Sequence, residues 1–261
     1  MSSSILARQA TGSHDHGATM TRLAVSWQHP HNRRHEPVGL LSCDDHGFHF
    51  RYLRRAQDVP GFQPFLGFED LGRIYSSPQL FPLFTQRIIR PSRPDFPRFL
   101  QALWLTDQAD DWQILARSQG QREGDGIRVL MEPSVDASGD TNTIFLVHGV
   151  RHRLRDDPDV EAALTTLQRG DRLRLVNEPQ NPVNPLAVLV SNDGDTRLGW
   201  VPTVLLSYIH RAQEYGVLQV TVLQSSGPTV PPGYRLLVEV KGRIDAGYRP
   251  FDGPDWVPFT D

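Results

Sequence analysis

The fold turns on the stretch Glu178-Pro179-Gln180-Asn181-Pro182-Val183-Asn184-Pro185-Leu186-Ala187-Val188. Its three prolines forbid a helix and fix φ, and each pushes the preceding residue toward extended geometry. Two asparagines sit in the stiffened loop, with short amides that bond local backbone or point at a ligand. On either side lie the apolar runs Arg172–Val176 and Leu186–Val190, which read as strands. A rigid polar loop between core strands is a common mount for binding residues. On local evidence alone, a structural Asx/proline turn is the preferred explanation.

The flanks change that weighting. Upstream run Phe145-Leu146-Val147-His148-Gly149-Val150-Arg151-His152 and Leu167-Gln168-Arg169-Gly170-Asp171-Arg172-Leu173-Arg174-Leu175; downstream comes Arg197-Leu198-Gly199-Trp200-Val201-Pro202. In that order and spacing they resemble the HIRAN domain. Its pattern has a V-x-G-x-R strand, an L-x-x-G-x-x-L-x-L strand, an E-P-x-N-P-x-D-x-x-A-I loop and a G-Y-V-P strand end. The resemblance covers Thr143 to Arg243. It implies a modified OB-type β-barrel and capture of the 3′ end of single-stranded DNA, the activity of the best understood members. Matched position by position, Arg151 and Arg153 would contact phosphates and His152 and Trp200 would stack on bases. Asn181 and Asn184 would read the terminal sugar. The chain departs from the pattern twice. Positions after the arginine are commonly aromatic in the family and are His152 and Arg153 here. The usual loop aspartate is Asn184, which keeps an acceptor oxygen and loses the charge.

The residues also carry readings of their own. Arg151, Arg153 and Arg155 alternate, so an extended strand end would project all three from one face toward a phosphate backbone. A solvated charged end beside Asp156 and Asp157 explains them equally well. Trp200 beside Gly199 is either a stacking platform or a packing residue. Thr203, near a helix start, can offer its hydroxyl and backbone N–H to a phosphate. Asn181 leans toward the ligand role and Asn184 toward pinning the loop.

Composition bounds the rest. The chain has 261 residues, 38% of them hydrophobic, with mean hydropathy −0.41, so a globular core is affordable and no run is long enough to span a bilayer. Its 21 glycines and 21 prolines favour short strands and many turns. Cys43 is the sole cysteine, which excludes an internal disulfide and points to the cytoplasm. The net charge of −3 argues against nucleic acid at whole-chain level, although it does not exclude a local basic surface. The preference for arginine over lysine, with Lys241 the single exception, carries no functional weight.

We expect an α+β chain: a disordered tail at 1–20, a mixed α+β domain at 21–132, a linker at 133–142, a small OB-like barrel with helical inserts at 143–245, and a tail at 246–261. In the first domain, Arg22–Trp27, Pro37–Ser42 and Phe48–Tyr52 read as strands, the last two joined by the hairpin turn Asp44-Asp45-His46-Gly47. Helical spacing runs through Pro78–Arg90, Asp95 caps a helix at Phe96–Leu105, and a shorter helix follows at Asp110–Ala116. Val38–Ser42 through Phe48–Tyr52, with Tyr75-Ser76-Ser77 and Leu80–Arg87, resembles the N-terminal subdomain of HipA-type kinases. No kinase catalytic motif follows it. The second domain reads as strand Thr143–Val150, helix Asp157–Gln168, three strands through Val201, helix Thr203–Gln213 and strands Val217–Leu223 and Tyr234–Val240.

Histidine pairs at 14/16, 29/31 and 46/49 lack a second cluster at zinc spacing, so no metal and no cofactor is expected. No hydrolase elbow is present. The aromatic belt Phe62–Phe84 reads as core, with an exposed partner-binding patch as the other possibility. The resulting expectation is a non-enzymatic protein that binds single-stranded DNA and targets a partner enzyme in repair or defence. The alternative is a protein-interaction or regulatory module, related to HipA systems, without DNA binding.

Overall fold

The computed structural model describes residues 21–31, 33–122 and 124–260. The tail expected at 1–20, with His14 and His16, lies outside them. The fold is α+β, built on two antiparallel sheets. The first contains β1 (Thr21–Gln28), β2 (His35–Asp44), β3 (Gly47–Tyr52), β4 (Tyr75–Ser77) and β5 (Ile127–Met131), in the order β4-β3-β2-β1-β5. The β2–β3 hairpin forms at the expected turn, with Asp44 opposite Gly47. Its inner face meets the aromatic belt, where Phe62, Phe65, Phe68 and Phe84 are all buried around Phe50 and Tyr52. The belt's phenylalanines at 62, 65, 68 and 84 are therefore core, while Leu66 and Ile74 between them are exposed.

Three short helices follow: α1 (Pro82–Thr85) and α3 (Asp111–Ser118) pack against this sheet's core, and α2 (Phe96–Ala102) packs toward Leu146, Leu223 and Leu237 of the second sheet. The helix expected over Pro78–Arg90 shrinks to the single turn α1. Pro82 can open a helix but cannot sit inside one, and the apolar residues around it serve the aromatic core instead. Asp95 precedes α2 as expected but does not cap it, because Arg93 holds its carboxylate through two hydrogen bonds of 2.8 Å. Asp110 does cap α3, in a reciprocal box with Gln113.

The second sheet contains β6 (Ser134–Val135), β7 (Asp140–Leu146), β8 (Arg172–Asn177), β9 (Val188–Ser191), β10 (Arg197–Trp200), β11 (Gln219–Ser225) and β12 (Leu236–Arg243), ordered β10-β9-β8-β11-β12-β7-β6. Helices α4 (Val150–Asp156), α5 (Asp159–Thr166) and α6 (Leu206–Tyr215) are inserted between strands. Just past β7, His148 exchanges two backbone hydrogen bonds with Trp200, 2.9 and 2.8 Å long. The outer strand β10 thus returns to β7, and the sheet closes on itself. A Cβ on Gly199 would lie 2.3 Å from the His148 carbonyl oxygen, so the closure requires glycine there.

Two expected boundaries are corrected. Residues 133–142 are a hairpin rather than a linker: Ser134 pairs with Asn142 and Val135 with Thr141. The Ser/Asp/Gly composition serves its turn, where the Asp136 carboxylate accepts from the N–H groups of Ser138 and Asp140 at 2.8 and 2.9 Å. Residues 246–260 are not a loose tail. Phe251 and Trp256 are buried and stacked, Leu53 pairs with Pro258, and the Phe259 N–H donates to the Tyr52 carbonyl. The main core spans both sheets, joining Ala24, Leu40, Leu53 and Leu130 to the interior of the closed sheet.

Candidate functional site

Strand β7 runs into Gly149, whose left-handed φ of +76° turns the chain directly into α4. The segment 150–156 is helical, not extended. Alternate residues on a helix point about 200° apart, so Arg151, Arg153 and Arg155 do not share a face. Arg153 turns inward, donating Nε to the Arg197 carbonyl at 2.9 Å and Nη2 to Asp157 at 3.1 Å. Arg155 pairs with its neighbour Asp156. Arg151 and His152 stay exposed, with no side-chain hydrogen bond or ion pair to any described residue.

The proline loop is organised by Glu178, the one charged residue in an otherwise neutral stretch. Its carboxylate accepts from Trp200 Nε1 at 2.7 Å and from Asn181 Nδ2 at 2.8 Å, and it also pairs with Arg197. Burial alone would raise this carboxyl. The hydrogen bonds from Trp200 and Asn181, with the Arg197 charge, outweigh that effect and leave it below its ordinary value. The Trp200 ring is half-buried over Gly149, where an added Cβ would come within 2.5 Å of Cε3.

Asn181 and Asn184 pin the loop. Asn181 Oδ1 accepts from the Val183 and Asn184 N–H groups at 3.0 and 3.1 Å, and Asn184 Oδ1 accepts from Leu186 at 3.0 Å. Asn181 Oδ1 is thus committed to the loop, and its amide nitrogen gives one of two hydrogens to Glu178. The Asn184 amide nitrogen keeps its donors. Thr203 opens a three-residue 3-10 turn and is exposed, outside the Glu178 network.

The fold thus gathers Arg153, Asn181 and Trp200, places Arg151 and His152 on the adjoining helix, and leaves Thr203 aside. Sequence reasoning overlooked Glu178, Arg197 and Gly149. The lone charge among three prolines was the available signal for Glu178. Nothing local marks Arg197, because its role depends on β10 lying beside the loop.

The first unit reaches this site. Arg34 donates to the Val183 carbonyl in the proline loop. Behind Trp200, the His148 ring meets Gln119 Oε1 at 2.8 Å and lies 6.3 Å from the His35 ring. Burial first, then neighbouring cations, lowers His35 to about 4 and His148 to about 3. Two open cavities, of about 440 and 480 Å³, lie elsewhere, one beside Arg249 and Trp256 and the other beside Asn142 and Lys241. Among the described residues no cluster of His, Cys, Asp or Glu could hold a metal, and no helix is long and apolar enough to cross a membrane.

No family model and no curated protein matches the chain. Two crystal structures are similar to part of it. One, a protein from Lactobacillus plantarum, is 19% identical over 41% of this chain and 100% of its own, with a TM-score of 0.30. The other, the HIRAN domain of human HLTF, is 15% identical over 40% of this chain and 77% of its own, with a TM-score of 0.27. The HipA-type likeness of residues 21–132 is not shown by these comparisons.

Proposed function

We propose that this chain is a binding protein rather than an enzyme, and that the closed sheet at 143–245 engages single-stranded DNA beside Trp200. What supports the reading is one convergence. Three segments far apart in sequence, each carrying part of the HIRAN-like pattern, meet through the contacts Gly149–Trp200, Trp200–Glu178 and Arg153–Arg197. Arg151 and His152 supply the exposed cation and ring. Asn184, with both amide hydrogens free, and Asn181, with one, are the loop's ligand contacts. Recognition of a 3′ end, a partner enzyme, a repair or defence role and a cytoplasmic setting extend this reading.

The experiment is fluorescence anisotropy of short single-stranded DNAs ending in a 3′-hydroxyl, a 3′-phosphate or a blocked group. Each is measured at two salt concentrations on wild type and Arg151→Ala. Preference for the free hydroxyl, lost in the variant, supports end capture. Salt-sensitive binding indifferent to the end reduces the claim to backbone attraction. Absence of binding at low salt rejects DNA as the ligand.

One observation favours the second reading, a protein-interaction module without DNA binding. Glu178 sets a carboxylate at the centre of the site, where a phosphate chain would be repelled. The buried aromatic belt gives that reading no support.

A further inference from the structure

Arg128, His35 and His148 meet where the two sheets join, and no carboxylate among the described residues is bonded to any of them. Arg128 is half-buried, and its side chain donates only to the Ile127 carbonyl, at 3.0 Å. A desolvated guanidinium ordinarily has a carboxylate partner, and Arg128 has none among the described residues. Asp125, the carboxylate within its electrostatic reach, is held by Arg87 at 2.7 Å. Arg33, on the turn before β2, adds a second cation to the same region. The Tyr234 hydroxyl, also nearby, donates to the Gln121 carbonyl.

Ser26 Oγ lies 3.5 Å from His35 Nδ1 and donates to the Arg128 carbonyl. Gln119 is 1% exposed, its oxygen takes His148 Nε2, and its amide nitrogen is buried without a partner. Gln119 and Arg33 both hold left-handed backbone, each with φ of 59°, a conformation that disfavours side chains and persists where surroundings enforce it. The two imidazoles, 6.3 Å apart, are close enough for one tetrahedral oxyanion to reach both.

We infer that Arg128, His35, His148 and the buried Gln119 amide form a phosphate subsite, entered past Arg33. It adjoins the Trp200 face through the His148–Trp200 backbone pair. This deepens the nucleic-acid reading, because a strand crossing Trp200 would set a backbone phosphate here. A free phosphate offers the same chemistry. An anion between the rings favours their charged forms, so binding takes up protons and strengthens as pH falls.

The subsite is tested first without DNA. Inorganic phosphate is titrated into the whole protein while the histidine ring resonances are followed by NMR, with chloride at matched ionic strength as the control. Saturable shifts of His35 and His148 that phosphate produces and chloride does not support the subsite. Their absence overturns it, whatever DNA does.

The second arm compares Arg128→Met with wild type in single-stranded DNA binding. If the phosphate belongs to a strand, the variant binds uniformly more weakly and its salt slope falls by about 1. An unchanged slope, with the phosphate shifts retained in wild type, assigns the subsite to a free phosphate. Arg128→Met also removes an unpaired charge, so the ligand-free variant should melt no lower than wild type. A lower melting temperature together with unchanged phosphate shifts marks Arg128 as purely structural and overturns the proposal.

Discussion

The indole N–H of Trp200 and the carboxylate of Glu178 are bonded at 2.7 Å across 22 residues of sequence. That bond ties the end of β10 to the first residue of the proline loop. Glu178→Ala should therefore strand two neutral donors and one guanidinium, lowering stability by about 2 kcal/mol. Urea unfolding measures the loss. Glu178→Gln keeps an acceptor and removes the charge. Under the DNA reading it should raise affinity for single-stranded DNA at low salt, with the gain shrinking as salt rises. A gain that ignores salt would exclude electrostatic repulsion as its cause.

Gly149→Ala tests the approach of the β7–α4 turn to the indole. The new methyl would need left-handed backbone and would collide with the Trp200 ring. A loss of about 2–4 kcal/mol is expected, with a change in tryptophan emission. A fully stable variant would mean that the turn can relax and that the platform is not rigid.

His35 and His148 make stability depend on pH. Burial holds both well below the unfolded value of 6.5, at about 4 and about 3. Between pH 6.5 and those values the unfolded chain binds protons that the folded chain refuses, so stability rises with pH. The contribution is complete above pH 6.5 and is lost as pH falls through about 4 for His35 and about 3 for His148. Urea midpoints at about pH 7 and about pH 5 should differ, and His148→Gln should narrow the gap. Phosphate should narrow it too if the subsite exists.

Arg235 is 2% exposed, and Glu161 holds it through bonds of 2.6 and 2.8 Å while Nε donates to the Ser226 carbonyl. Glu161→Ala leaves that guanidinium buried without its counter-charge, a loss of about 3 kcal/mol. Replacing both residues with apolar ones should recover most of it. Thermal melts of the single and double variants decide whether the pair stabilises the junction of α5 with β12.

The strands were legible because their signals are local. Apolar runs between turn residues located β1, β2, β3, β8 and β9, and the short helix expected at Asp110–Ala116 is α3. What escaped depended on contacts made elsewhere. Val150–Asp156 reads as strand by alternation, yet Gly149 reverses the backbone and lets a helix start. Ser134–Val135 looks like linker until β7 lies beside it. At the site, the proline loop and Trp200 were found from order and spacing. The commitment of the Asn181 amide was not, because it follows from Glu178 and from two N–H groups of the loop itself.

The return of residues 246–260 to β3 has a consequence for how the molecule is made. Leu53 waits for Pro258, and Tyr52 for Phe259, so these two contacts of the first sheet form only after the second has been synthesised. During translation Tyr52 and Leu53 lack these partners over about two hundred residues of chain growth. The contact between the chain's last residues and the end of β3 is therefore made late. The chain should refold as one cooperative unit, slowly for its size, because a contact this distant along the chain carries a large loop-closure entropy.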